Sequence, residues 1–470
     1  MRPAETSSTR RKSRAAITLL LCALGIAAAA VGCSSNEDAT EKVPSPDATE
    51  SADKTRDLDS DAPVVKELPA DVALPIVFVH GFAGSAQQYE TQAIRFIDNG
   101  YPAERIVAYD HDGAGMDITG YANGVDKVVD EVLASTGAKQ VYLVGHSRGT
   151  MVSTSYLADP ARAAKVAKYI AIDGRECVEV VPCLAPNQDV LPGQAHVEAA
   201  TSAESFAMQY EFLVGDTPEI IDPDPQDGPV VLEGRAVNFP ANTGRAGATL
   251  DIWEIDADSG ARIGDEPHAS IELGSDGEFG PLEVTPGAHY EYALSQPDSD
   301  VIHHVYLQPY YRSSHLVRLL SSAPDGSTRV NTNSGPDHSS IIAIRMREWY
   351  GVDDEDLPGD QTDVLNIRVD GGEPVDVVAG FDTNGAIGLH IHDDAASPGK
   401  TTLGPLPYFS EQPFQQGIDL FMPSSPEGTG TISITNLPRG DASKPQTLNV
   451  PNWPSETNAI SVVFTDYPVD

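Results

Sequence analysis

One short stretch of the chain combines residue types that can carry out nucleophilic chemistry. Residues 140–150 read QVYLVGHSRGT, so an apolar run leads directly into Gly145-His-Ser-Arg-Gly149. A G-x-S-x-G sequence in this setting predicts a sharp turn from a buried strand to a helix, with the serine hydroxyl exposed at the bend. Side chains at the two glycine positions would crowd such a turn. Ser147 is therefore the candidate nucleophile, and an ordinary glycine-flanked turn is the alternative interpretation.

A nucleophilic serine needs a base, and the base needs an acid that orients it. Where this motif forms such a turn, the order along the chain is nucleophile, acid, histidine. Asp173 ends the apolar run YIAID, the next predicted strand after the helix that follows the serine. His196 lies in the loop before the last predicted helix of this region, and we favour it as the base. His338, within Gly335-Pro-Asp-His, is the alternative base and lies in a region rich in predicted strands.

The chemistry also requires donors for the negative charge that develops on the substrate oxygen. An apolar strand, IVFV, leads into His80-Gly-Phe82, and the residue after the nucleophile is Arg148. The backbone amides of Phe82 and Arg148 are the predicted oxyanion donors. A turn that merely ends the strand is the alternative interpretation. We expect His80 to order this loop rather than to transfer protons.

These residues must be positioned by alternating strands and helices. Between residues 71 and 217, buried apolar runs alternate with helical patterns, which predicts an α/β domain with a parallel sheet and helices on both faces. Residues 218–229 are rich in proline and aspartate and are predicted to be a linker. Short alternating strands follow, and we expect two β-sandwich or barrel-like modules at 230–362 and 363–470.

The N-terminal region has the pattern of an export signal. Basic residues precede an apolar stretch at 15–31, and small residues precede Cys33. This predicts a lipoprotein signal peptide over 1–32, with Cys33 as the lipid-bearing residue, and a disordered acidic tether over 33–70. The expected location is the bacterial cell envelope, through a lipid anchor in the membrane. A signal that is cleaved without lipidation, or not cleaved, is the alternative.

Charge and cysteine content limit the partners. The formal net charge of −40 excludes nucleic acid as a favoured partner, because the long-range field repels polyanions. Cys177 and Cys183 lie six positions apart in a chain predicted to be exported, so a disulfide between them is expected. No cofactor and no metal site are predicted. His390-Ile-His392 places two imidazoles on one strand face, but a structural role is favoured because no third ligand has readable spacing.

The stretches at residues 75–110, 141–150, 169–174 and 193–215 together resemble the two-domain bacterial and archaeal lipases. Those proteins have an α/β-hydrolase domain followed by a C-terminal β-barrel domain. The resemblance implies Ser147 as nucleophile, Asp173 as acid and His196 as base, with the amides of Phe82 and Arg148 in the oxyanion hole. It implies a fatty-acyl or other hydrophobic ester as substrate and no cofactor.

One departure from that family concerns the lid. The segment at 110–121, DHDGAGMDITGY, is too short for the family's long lid insertion, so the sequence predicts an uncovered site. The β modules would orient the enzyme on a lipid or polymer surface. Two other functions stay open at this point. One is a surface-anchored binding protein with an inactive hydrolase domain, and the other is an amidase or acyltransferase that uses the same triad.

Overall fold

The computed structural model describes residues 67–323, 326–351, 362–379 and 385–466. The predicted signal peptide, Cys33 and the tether up to residue 66 lie outside the described residues. The described residues belong to one compact unit, Pro63–Asp470. No helix in these ranges is long and apolar enough to cross a membrane.

The first part of the unit is built on a parallel sheet. Its strands are β1 (Ile76–Val79), β2 (Ile106–Tyr109), β3 (Val141–His146), β4 (Val166–Ile172) and β5 (Cys183–Leu184). Their order is β2-β1-β3-β4-β5, and every neighbouring pair is parallel. All residues of β1 and β3 are buried. That burial on both faces explains why these strands read as continuous apolar runs.

Helices cover both faces of this sheet. The α-helices of the described residues are α1 (Glu90–Asp98), α2 (Ile118–Thr136), α3 (Arg148–Leu157), α4 (Pro160–Ala163), α5 (Glu198–Thr201), α6 (Ala203–Val214), α7 (Ser327–Asn331) and α8 (Pro407–Ser410). Short 3-10 helices span Ala86–Tyr89, Ala103–Arg105 and Pro438–Gly440. Residues of α1 and α6 pack with one face of the sheet, and residues of α2 and α3 pack with the other. The predicted α/β class with helices on both faces is confirmed.

The remainder of the chain is β-rich, as predicted. Its strands are β6 (Val230–Asn238), β7 (Thr243–Gly244), β8 (Thr249–Ile255), β9 (Ala269–Glu272), β10 (Glu278–Val284), β11 (His289–Gln296), β12 (Ser299–Leu307), β13 (Ser314–Ser321), β14 (Ile341–Trp349), β15 (Val364–Val369), β16 (Val375–Asp376), β17 (Ala386–His392), β18 (Gln415–Asp419), β19 (Thr431–Leu437), β20 (Gln446–Pro451) and β21 (Asn458–Phe464).

These strands form three sheets within the described ranges. A central sheet of eight strands has the order β18-β17-β14-β21-β12-β11-β8-β9. One apolar core lies between it and the sheet β10-β6-β13, to which β7 is added, and a second lies between it and the sheet β16-β15-β19-β20. The expected boundary at 362/363 falls between β14 and β15, yet the central sheet takes strands from both sides of it. The β region is thus one three-layered body.

Contacts attach the β region to the parallel sheet. Asp110, at the carboxyl end of β2, pairs with Arg318 at 2.8 Å and with Arg235 at 2.9 Å. Burial alone would raise the pKa of Asp110, but Arg318 and its other partners hold the pKa below its usual value. The segment predicted as a linker is also attached, because Asn99 donates a hydrogen bond to the carbonyl of Ile220 at 2.7 Å.

Candidate active site

Ser147 occupies the turn between β3 and α3. Its backbone is in a rare left-handed conformation, with φ 54° and ψ −121°. A Cβ atom at Gly149 would overlap the carbonyl oxygen of Val79, and one at Gly145 would lie 2.8 Å from the carbonyl oxygen of Gly149. Both glycines are therefore required by close backbone approach. The turn places Ser147 at the carboxyl end of the central strand, where parallel sheets position reactive groups.

The structure brings the predicted nucleophile, acid and base together. Ser147 Oγ lies 2.8 Å from His196 Nε2, and His196 Nδ1 lies 2.6 Å from Asp173 Oδ2. With Nδ1–H donating to the carboxylate, Nε2 is left to accept the proton of the serine hydroxyl. The His196 side chain is 32% exposed and the Asp173 side chain 20%, so the group is open to a substrate from one side.

Asp173 is held by the chain that follows it. It comes directly after β4, has φ 34°, and its amide donates to the carbonyl of Pro186 at 2.8 Å. A disulfide joins Cys177 to Cys183, the first residue of β5. Because β5 pairs with β4, this bridge closes the loop next to the acid.

The alternative base, His338, lies elsewhere in the fold. Its ring nitrogens contact Asp337 Oδ1 at 3.2 Å and the carbonyl of Asn333 at 3.1 Å. The histidine that the structure brings to Ser147 is His196.

The loop after β1 lies directly against the serine. A Cβ atom at Gly81 would be 2.9 Å from Ser147 Cβ. The Arg148 guanidinium lies 5.2 Å from the centre of the Phe82 ring, so the two residues predicted to supply oxyanion amides are neighbours. The Ala83 amide donates to the carbonyl of Gly113 at 2.9 Å, which ties this loop to the segment after β2.

Two stacked, neutral histidines order this loop. The rings of His80 and His111 are 3.9 Å apart, and the His111 amide donates to His80 Nε2 at 3.2 Å. Arg148 Nη2 in turn donates to His111 Nδ1 at 3.1 Å. Burial, followed by the repulsion that a protonated His111 would exert, holds the pKa of His80 well below its usual value. Burial, followed by the charge of Arg148, lowers the pKa of His111 to about 4. Sequence reasoning missed His111 and the side chain of Arg148.

His146, inside the turn, supports the backbone of the base. Gln88 donates to His146 Nδ1 at 2.6 Å, and His146 Nε2 donates to the carbonyl oxygen of His196 at 2.8 Å. Burial lowers the pKa of His146 to about 3, so the ring stays neutral and keeps this donor–acceptor arrangement.

The β region contributes side chains that no local sequence pattern indicated. Asn242 donates to the carbonyls of Gly84 and His111, each at 2.8 Å. The Phe414 ring stacks on His196, with ring centres 5.9 Å apart. The 110–121 segment is short, and Phe414, far along the chain, lies beside the base. The expectation of an uncovered site stays a prediction.

The pair His390 and His392 has structural partners. His390 Nε2 donates to Gln415 Oε1 at 2.7 Å, and its ring stacks on Phe409. Across the described part of the chain, no group of three or more His, Cys, Asp or Glu side chains is arranged to hold a metal ion.

Comparisons with known proteins divide the chain into three matched segments. Residues 75–199 match the family model of the alpha/beta hydrolase fold, and residues 228–324 match that of the lipase C-terminal domain. A further C-terminal-domain model matches residues 327–468.

Individual relatives match only part of the chain. A non-heme chloroperoxidase from Streptomyces lividans is 32% identical over 105 residues, which is 21% of this chain and 37% of that protein. The crystal structure of the lipase BlEst2 from Bacillus licheniformis in propeptide form is 26% identical, with a TM-score of 0.21, over 23% of this chain and 24% of that one. The epoxide hydrolase VrEH1 from Vigna radiata is 23% identical, with a TM-score of 0.19, over 24% and 36%. The chain spans about a third of the length of the chloroperoxidase.

Proposed function

Since the chain is an α/β-hydrolase with a lipase-type C-terminal domain, we propose that it is a serine carboxylic-ester hydrolase. One observation carries the proposal. Ser147 Oγ, His196 and Asp173 form a continuous hydrogen-bonded series, with distances of 2.8 Å and 2.6 Å. Such a series activates a hydroxyl that would otherwise be a weak nucleophile.

The proposed reaction has two stages, in which Ser147 is first acylated and then freed by water. Ser147 Oγ attacks the ester carbonyl while His196 Nε2 takes its proton, and Asp173 stabilises the imidazolium that forms. The amides of Phe82 and Arg148 hold the oxyanion. His196 then returns the proton to the leaving alcohol, which leaves an acyl group on the serine. Water, deprotonated by His196, then attacks the acyl carbon, and His196 returns the proton to Ser147 Oγ as the carboxylic acid leaves.

The surroundings of the site favour a hydrophobic ester over an amide of a charged substrate. A cavity beside the oxyanion loop is lined by apolar side chains, among them Leu320, Ile344 and Phe414. Burying an acyl chain against such surface is favourable in proportion to the apolar area removed from water. The β region, which lines this cavity, therefore has a proposed role in substrate binding in addition to any contact with a lipid or polymer surface.

The proposal also includes the location of the protein in the cell. With Cys33 lipidated, the enzyme would be anchored to the cell envelope. Metabolic labelling with an alkyne fatty acid, compared between wild type and Cys33→Ser, tests this. Label that persists in the variant argues against lipidation at that cysteine.

The activity is tested with p-nitrophenyl esters of increasing acyl length, on wild type and Ser147→Ala. We expect turnover by the wild type and its loss in the variant. A fluorophosphonate probe should label the wild type and spare Ser147→Ala. Turnover of esters that survives in Ser147→Ala would contradict the mechanism. Turnover confined to amides would indicate an amidase that uses the same triad.

A further inference from the structure

The cavity beside the oxyanion loop lies between the α/β part and the central sheet, and its volume is about 200 Å³. At one end it is lined by Ala83, of the oxyanion loop, and by Ala114, close to the carbonyl groups that Arg148 binds. Phe414, whose ring stacks on His196, lines the same end. This end is therefore the one next to the catalytic residues.

The strand register shows how the cavity extends from that end. Gly388 of β17 pairs with Ile344 of β14, and its amide donates to the carbonyl of Phe414 at 3.2 Å. The next row on the same face consists of His390, Ile342 and Ser461, which are register partners across β17, β14 and β21. A two-residue step along a strand is about 7 Å, so this row lies farther from the Gly388 row by roughly that distance.

The two rows differ in chemistry. Around the Gly388 row the cavity is apolar, with Leu320, Ile344 and Ile387 among its lining residues. The second row presents His390 and Ser461. The Ser461 hydroxyl already contacts His303 Nε2 at 2.8 Å. The Nδ1 atom of His390, by contrast, has no hydrogen-bond partner among the described residues.

The tautomer of His390 follows from its partner. Gln415 is placed with its carbonyl oxygen 2.7 Å from His390 Nε2, so Nε2 carries the hydrogen and Nδ1 carries the lone pair. Nδ1 is buried and has no hydrogen-bond partner among the described residues, and the whole side chain is 5% exposed. Burial lowers the pKa of His390 to about 3, which keeps the ring neutral. Stacking on Phe409, with ring centres 3.8 Å apart, fixes the ring orientation.

From this arrangement we propose that the cavity binds the acyl chain of the ester and that His390 Nδ1 accepts a hydrogen bond from a hydroxyl group on that chain. The preferred substrates are then esters of hydroxy-substituted acids rather than of plain fatty acids. This inference rests on the proposed esterase function. It deepens that function because an unpaired acceptor in a largely apolar cavity selects for a donor at one chain position, as polar sites reject analogues that lack the matching group.

The test compares p-nitrophenyl esters of ω-hydroxyalkanoic acids with the matching alkanoates over a series of chain lengths. We expect wild type to prefer the hydroxylated ester at one length by about tenfold in kcat/KM, the value of one buried neutral hydrogen bond. His390→Phe keeps an aromatic ring on Phe409 but removes the acceptor, and it should abolish that preference. His392→Phe is the matched control, since His392 is on the same strand face and does not line this cavity. It should leave the preference unchanged.

A second measurement separates this inference from the proposed function. Binding of the same ester pairs to Ser147→Ala, and to Ser147→Ala with His390→Phe, is measured by isothermal titration calorimetry and requires no turnover. A preference for the hydroxylated ester that depends on His390 supports the inference even if hydrolysis is absent. Equal affinity for the two members of each pair, or a preference that survives in His390→Phe, overturns it while leaving the esterase proposal intact.

Discussion

Glu348, on strand β14 of the central sheet, accepts a hydrogen bond from the backbone amide of Val197, the residue that follows His196. Its second carboxylate oxygen accepts from the next amide, that of Glu198, at 3.0 Å. Glu348 is completely buried, and its carboxylate lies at the first amides of α5, where negative charge is favourable. The β region therefore fixes the backbone that carries the proposed base.

Replacing Glu348 should reduce the rate of chemistry more than substrate binding. Glu348→Leu leaves two amides without their charged acceptor, and such bonds are worth roughly 1.5–3 kcal/mol each. If the loss of one such bond appears as misplacement of His196, kcat falls by about 10- to 100-fold with little change in KM. Glu348→Gln, which keeps one acceptor oxygen, should be intermediate.

The matched control for this prediction is Glu291→Gln. Glu291 is also completely buried in the β region, but it binds Arg262 and His304 and has no contact with the base. We expect it to lower the unfolding temperature and to leave kcat near that of wild type. Equal kcat losses in the Glu348 and Glu291 variants would show that Glu348 acts only through global stability.

The part of the site that the sequence predicts is the part specified by local patterns. The turn at Ser147 is marked by its flanking glycines, and Asp173 ends a continuous apolar strand. His196 precedes a helical pattern that the structure contains as α6. These signals span a few residues each, so they need no knowledge of how distant segments pair.

The contributions of the β region could not be predicted because they depend on long-range packing. Glu348 lies 151 positions from Val197, and Asn242 lies 158 positions from Gly84. No periodicity links such pairs. The central sheet also mixes strands from both predicted β modules, and its order follows from cores on its two faces rather than from chain order.

Asn242 should matter to the oxyanion loop through its side-chain donors. It donates to the carbonyls of Gly84 and His111, and its backbone has φ 54°. Asn242→Gly tolerates that backbone and removes both donors. We expect kcat to fall by about tenfold, corresponding to roughly 1.4 kcal/mol of transition-state stabilisation.

Asn242→Asp refines that prediction, because a carboxylate would face two carbonyl oxygens. It should be more harmful than Asn242→Gly when both are assayed at neutral pH with the same ester. An Asp variant that is as active as wild type would rule out the donor role.

The disulfide between Cys177 and Cys183 should contribute stability more than catalysis. Closing so short a loop is worth about 2 kcal/mol in the chain-entropy account. The double substitution Cys177→Ser with Cys183→Ser should lower the free energy of unfolding by about that amount. Urea unfolding followed by circular dichroism measures this loss. Because Asp173 keeps its own bond to Pro186, we expect kcat at low temperature to change little.

The buried neutral histidines should make the protein less stable as the pH falls. Burial lowers the pKa of His390 to about 3, whereas an unfolded histidine titrates near pH 6.5. Between these values the unfolded chain binds a proton that the folded chain does not. The free energy of unfolding therefore decreases on acidification by about 1.4 kcal/mol per pH unit for such a group. The stabilisation is fully present above about pH 6.5 and is lost progressively below it.

His390→Phe removes that one titrating group. We expect the slope of unfolding free energy against pH, measured by urea titration below about pH 6, to become shallower by roughly 1.4 kcal/mol per pH unit than in wild type. The comparison does not depend on the absolute stability of the variant, because only the difference in slope reports protonation of His390. Parallel curves for the two proteins would mean that His390 is protonated in the folded state, and its Nδ1 would then be a donor rather than the acceptor inferred above.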